Sequence, residues 1–193
     1  MTLRNDGLSS IAYFYFDFRD ENKRSLDNLL RSLLFQLSAQ SDLCRDILYH
    51  LYWEHNNGQI KPSDSILTKC LKEMLSHPAQ GPVYLILDAL DECSDNHGVS
   101  SVREQVIRLV TDLLDLHSPN LHISVTSRPE VDIRTALEPR TSLRISLQDQ
   151  SGQRKDIVDY INSVVYSDTK ARRWREEDRK LVCQILSEKA DGV

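Results

Sequence analysis

The sequence predicts an α/β fold with a parallel sheet flanked by helices, and three observations carry that prediction. Val83–Leu87, VYLIL, is an apolar run without alternation, the pattern of a strand buried on both faces. Ile11–Phe18, IAYFYFDF, is a dense aromatic run bounded by polar segments, which reads as another buried strand. Around these runs, segments with apolar residues at helical spacing alternate with strand-like ones, as βαβ units require.

In chain order, Ser25 reads as the N-cap of a helix carrying Leu26, Leu29, Leu30, Leu33, Leu34 and Leu37 on one face. A second helix is expected from Ser41 to about Trp53, with Leu43, Ile47, Leu48 and Leu51 inward. NNGQIKPSD, from Asn56, is rich in turn formers and reads as a loop. Ser63 or Asp64 caps a third helix, whose face carries Ile66, Leu67, Cys70, Leu71, Met74 and Leu75 before HPAQGP ends it. After the VYLIL strand, Val102–His117 returns to a helical period through Val106, Leu109, Val110, Leu113 and Leu114. Leu121–Thr126 is a short strand closed by SRPE, and Ser142–Leu147 is expected to be a fourth strand. Helices at about Gln153–Val165 and Glu176–Lys189 complete the chain.

The 193 residues suffice for one domain with its own core, expected over 11–193 behind a short lead, 1–10. With 40% apolar and 27% charged residues, the chain has the composition of a globular protein. A formal charge of −5 gives no global basic field, so no nucleic-acid partner is expected. TKARRWREEDRK, from Thr169, is basic, but the acids at 176–178 interrupt it and make it a solvated helix start. No run reaches the about 18–20 apolar residues of a membrane span, and MTLRNDGLSS lacks the apolar core of a secretory signal. A cytoplasmic location without membrane contact is therefore expected. Cys44, Cys70, Cys93 and Cys183 form no CxxC pair, and the six histidines form no HExxH, so reduced thiols and no zinc site are expected.

Asp88, Asp91 and Glu92 are the candidate chemical residues, three carboxylates directly after a buried apolar strand. Ligands of open α/β sheets bind outside the carboxyl ends of the strands. A carboxylate there can hold a hydrated Mg2+ that bridges nucleotide phosphates, and a second acid can orient an attacking water. Taken alone, DALDE fits the start of a polar loop equally well. The next strand, LHISVT, ends in Thr126, Ser127 and Arg128, and an arginine at that place can report phosphate charge.

Taken together, YFYFDFRD, VYLILDALDEC and HISVTSRPEVDI resemble the NACHT family of STAND P-loop ATPases, most closely the nephrocystin-like NACHT domains of fungal NLR-type proteins. The resemblance runs from about Ile11 to the tail ILSEKADGV and implies a three-layer P-loop NTPase-like sheet flanked by helices. Carried over residue by residue, it implies that Asp88 is the Walker B acid on Mg2+, within a Walker B segment at 83–93. Ala89 stands where the family takes a small residue, and Asp91 and Glu92 match the acidic pair that includes the hydrolytic carboxylate. Arg128, beside Thr126 and Ser127 on the strand segment 121–129, matches the nucleotide sensor. Arg19 or Asp20 is placed near the site.

The departure is Walker A. No GxxxxGK[ST] occurs, and the glycines at 7, 58, 81, 98, 152 and 192 are isolated. That loop supplies the backbone N–H cradle and the phosphate-binding lysine. The resemblance implies that this loop's strand lies between the neighbours of the Walker B strand, so the sheet is expected to lack a central strand and to expose apolar edges. Two functions follow from the resemblance. One is a partial nucleotide-binding module of an NLR-like signalling protein, with ATP or GTP and Mg2+ as ligands and protein partners or self-association as output. The other is a regulatory or scaffold piece that keeps the fold without nucleotide or cofactor. A third class, a metal-dependent hydrolase built on the DALDE acids alone, leaves TSRP without a role.

Overall fold

The computed structural model describes residues 9–93, 101–146 and 151–189. The chain forms two compact units, Met1–Thr141 and Ser142–Val193. The first eight residues of the lead, Leu147 and the last four residues of the tail lie outside the described residues.

In the first unit the elements are β1 (Ser10–Tyr15), α1 (Leu26–Ser38), α2 (Asp42–Glu54), α3 (Asp64–Ser76), β2 (Val83–Asp88), α4 (Val102–Leu114), β3 (Leu121–Val125) and α5 (Val131–Leu137). Four of its helices start on a serine whose hydroxyl accepts the N–H three residues on: Ser25 from Asn28, Ser41 from Cys44, Ser63 from Ile66 and Ser101 from Glu104. Each such cap satisfies an N–H that the first helical turn cannot, worth about 1 kcal/mol. The expected α/β class holds, with a parallel sheet in the order β1-β2-β3 among the described residues. The registers run from Ser10↔Val83 to Tyr15↔Asp88 and from Val83↔Leu121 to Leu87↔Val125. β2 is therefore the central strand and bonds directly to β3, with no strand between them.

One core holds the unit together. Leu29, Leu30, Leu33, Leu34 and Leu37 of α1 pack with Leu67, Leu71 and Met74 of α3, Val106 and Leu113 of α4, and Val83, Leu85 and Leu87 of β2. Two helix faces differ from expectation. Cys44, one position beyond Leu43, is the buried residue at the start of α2, and Ile66 at the start of α3 is exposed. Burial pushes the Cys70 thiol up to about 11 and raises that of Cys44, since the thiolate would lose its hydration. Both are inert as thiols at neutral pH.

The sheet corrects a larger expectation. VYLIL is apolar on both faces, but only Val83, Leu85 and Leu87 are buried, while Ile86 is 40% exposed. β1 repeats this: Ala12, Phe14 and Phe16 face the core, whereas Tyr13 and Tyr15 are 56% and 47% exposed. The helices supply apolar partners to one face only, and the strand period of two sends alternate residues to the other. On the open face Tyr84 stacks on His122 across β2 and β3, with ring centroids 4.7 Å apart.

The second unit holds α6 (Ser151–Ser167) and α7 (Glu176–Lys189) around a small cluster of Val165, Ala171 and Cys183. Residues 172–178 are exposed, in keeping with a solvated helix start. Residues 142–146 form no strand, against the expected fourth one. Leu143 and Ile145 lie exposed there, and no ladder partner binds this segment among the described residues. No helix of the described residues is long and apolar enough to cross a membrane.

The one-sided core predicts an asymmetric pair of substitutions in β2. Leu85→Ala lowers stability by about 3 kcal/mol, whereas Ile86→Ala, one residue away, costs about 1 kcal/mol or less. Urea unfolding of both variants measures the difference.

Candidate functional site

The site sits at the carboxyl ends of β2 and β3, where the register leaves Asp88 beside Thr126. Asp88 is the last residue of β2 and is exposed. Ala89 then adopts the left-handed region (φ 55°, ψ 49°), which turns the chain sharply out of the strand. Leu90–Glu92 form one 3-10 turn, anchored by the fully buried Leu90. DALDE is thus a pinned turn.

Thr126 ties this turn to β3. Its backbone N–H donates to Leu87 O at 2.9 Å, and its carbonyl accepts from the Leu90 N–H at 2.9 Å. Its hydroxyl accepts the Ala89 N–H at 3.0 Å and donates to Asp88 Oδ1. One side chain therefore holds both the acid and the strained turn that follows it.

The remaining acids are engaged as well. Asp91 Oδ1 accepts the Arg128 backbone N–H at 3.0 Å, and Asp91 Oδ2 lies 3.4 Å from Arg128 Nε. The Asp91 side chain is 11% exposed and that of Arg128 74%, so the arginine is free to swing while its anchor stays put. Because the Asp91 carboxylate is largely buried, parting it from Arg128 carries a cost unless another donor replaces the arginine. Glu92 Oε2 accepts the Phe18 N–H at 3.4 Å, which brings the segment after β1 to the site. Ser127 donates to the Arg128 carbonyl at 2.7 Å and so shapes the SRP turn.

Thus Asp88, Asp91, Glu92, Thr126, Ser127 and Arg128 share one end of the sheet. Arg19 and Asp20, which follow Phe18 directly, bond within their own turn. Arg19 donates its backbone N–H and its Nε to Asp17 Oδ1, at 2.9 and 3.2 Å, and Asp20 caps the 3-10 turn at Glu21–Lys23. The hydrogen bond from the Arg19 N–H, aided by its side chain, holds the Asp17 carboxyl below the usual range. A groove of about 330 Å3 lies here, lined by Phe18, Asp91, Glu92, Cys93, Arg103, Arg128 and Glu130. Its volume is at the lower end of small-molecule pockets. Phe18, Arg103 and Glu130 were not picked out from the sequence. Arg103 lies in the first turn of α4 and pairs with Asp132 at 2.7 Å, a contact between helices that spacing does not reveal.

Mg2+ fits these residues in a limited way. Asp88 is an exposed carboxylate at a strand end with the Thr126 hydroxyl beside it, which suits a hydrated ion held by one protein oxygen. No group of three or more His, Cys, Asp or Glu among the described residues could cage a metal. The left-handed turn gives the small residue at 89 a physical reason. Ala89→Val puts a β-branched side chain in that region and lowers stability by about 1–2 kcal/mol. Ala89→Gly does not, and thermal unfolding of both variants checks the pair.

No curated protein matches the chain. The family described as Nephrocystin 3, N-terminal matches residues 2–128, a stretch that contains β1, the DALDE turn and the TSR strand end. That match covers most of the chain and all the residues of the site except Glu130, and the chain belongs to the nephrocystin 3 N-terminal family.

Proposed function

We propose that this chain is a partial nucleotide-binding module of the NACHT type in an NLR-like signalling protein, handling Mg-nucleotide through the acids after β2. The observation that carries this reading is the direct coupling of Asp88 to Thr126 and of Asp91 to Arg128 across the ends of two parallel strands. A site that reads phosphate needs an acid for the metal and a mobile cation for the phosphate oxygens, each on a rigid element.

In this reading Asp88, positioned by the Thr126 hydroxyl, would hold hydrated Mg2+, and the ion would offset phosphate charge. Arg128 leaves Asp91 for the terminal phosphate of ATP or GTP. Asp91, relieved of its cation, and Glu92 then orient water. The Asp91–Arg128 pair is thus the resting state of a sensor, and its exchange for a phosphate contact is the signal passed to protein partners or to another copy.

The alternative is a regulatory or scaffold module without nucleotide. A specific observation favours it: Asp88, Asp91 and Glu92 already have protein partners, in the Thr126 hydroxyl and the backbone N–H groups of Arg128 and Phe18. The two readings separate in one titration of the chain with ATP or GTP, with and without Mg2+. The nucleotide reading predicts Mg2+-dependent binding that Asp88→Ala weakens by about tenfold or more, the value of one charge-assisted contact. A folded chain that binds neither nucleotide leaves the scaffold reading.

A further inference from the structure

The outer edge of β1 has its backbone groups answered by side chains. In a parallel ladder, alternate residues turn both their N–H and C=O to the same side. Ser10 and Phe16 bond toward β2, through Ser10 N–H to Pro82 O at 2.8 Å and Phe16 N–H to Asp88 O at 3.0 Å. Ile11 and Tyr13 therefore turn outward, where an unprotected edge would invite another strand.

Gln36 of α1 and Gln40, in the turn two residues past its end, occupy that place. Gln40 Oε1 accepts the Ile11 N–H at 3.1 Å, and Gln40 Nε2 donates to Ile11 O at 2.7 Å. Gln36 repeats the arrangement at Tyr13, with distances of 3.1 and 2.8 Å. Each amide thus presents one acceptor and one donor, as the peptide group of a neighbouring strand would. The second hydrogen of each Nε2 is also used, on Ser32 Oγ at 3.0 Å for Gln36 and on Gln36 O at 2.7 Å for Gln40. The match is geometric: four residues of helix rise about 6 Å and two residues of strand about 6.6 Å, so Gln36 and Gln40, four apart across the end of α1, meet Tyr13 and Ile11, two apart on β1.

We propose that Gln36 and Gln40 form a latch that closes the β1 edge, and that its release opens this edge to the β1 edge of a second copy of the chain. A second copy is the occupant because the edge is self-complementary. About a two-fold axis at Tyr13, each Tyr13 exchanges N–H and C=O with its counterpart, and Ile11 meets Tyr15 of the other chain. The open face adds Tyr13 and Tyr15 rings, both about half exposed, which such pairing would bring side by side.

The test uses the full chain with Gln36→Ala and Gln40→Ala together, since alanine keeps the helix and removes only the amides. The expected result is about tenfold faster hydrogen exchange at the Ile11 and Tyr13 amides in dilute solution, the loss of about one net hydrogen bond at each. At higher concentration the double variant should gain mass in sedimentation, which the unaltered chain does not at the same concentration. Adding Tyr13→Pro to the double variant removes the central donor and should return it to monomer. If the double variant loses its helical circular dichroism, Gln36→Ala alone is read instead, with faster exchange at Tyr13 and not at Ile11. Unchanged exchange at these amides, no association on release, or association that survives Tyr13→Pro would each overturn the proposal.

Discussion

The register between β2 and β3 is the constraint on which the rest of the candidate site depends. Leu87 faces Val125, so the next residues, Asp88 and Thr126, meet at the strand ends, and the Thr126 hydroxyl closes on both Asp88 and the Ala89 N–H. A slip of one residue would send Thr126 to the other face and leave a left-handed turn without its tether. The buried Leu90 fixes the same turn from the core side. Acid, turn and the Thr126–Arg128 segment are thus one mechanical unit, hung between a ladder and a hydrophobic anchor. A change in contact at Arg128 reaches Asp91 and the 3-10 turn directly.

α1 has two tasks on adjacent stripes. Its leucines fill the core that supports β1 and β2, while Gln36 and, in the turn just past the helix, Gln40 answer the outward peptide groups of β1. The first task contributes most of the stability, because each buried leucine removes a whole side chain from water. The second contributes specificity, by occupying hydrogen-bonding groups that would otherwise template another strand. The sheet stays at three strands among the described residues, with one open aromatic face and one sealed edge.

Much of this was legible in the sequence, for identifiable reasons. Leucines at helical spacing after Ser25 and Ser63 located two helices, because a serine cap followed by a periodic apolar stripe has few other meanings. The DALDE and TSR segments were placed at adjacent strand ends by resemblance, and the structure brings them into hydrogen-bond contact. What spacing could not show is which face of a sheet is covered. Tyr84 and Ile86 are as apolar as their neighbours, yet among the described residues of this unit Ile86 stays 40% exposed. LRI at 143–145 alternates like a strand but has no ladder to join, and a strand exists only with a partner. Gln36 and Gln40 looked like ordinary polar positions, since their role depends on a strand more than twenty residues away. The pairing of Asp91 with Arg128 was hidden because each had been given to a separate function.

The central claim is that the ends of β2 and β3 form one metal-nucleotide site around Asp88. Its most direct test is paramagnetic mapping, with Mn2+ and ATP added to the isotope-labelled chain and line broadening followed residue by residue. The account predicts selective broadening at Asp88–Leu90 and Thr126–Arg128, lost in Asp88→Ala. Broadening spread over surface carboxylates, or centred elsewhere and unchanged by that substitution, would contradict it.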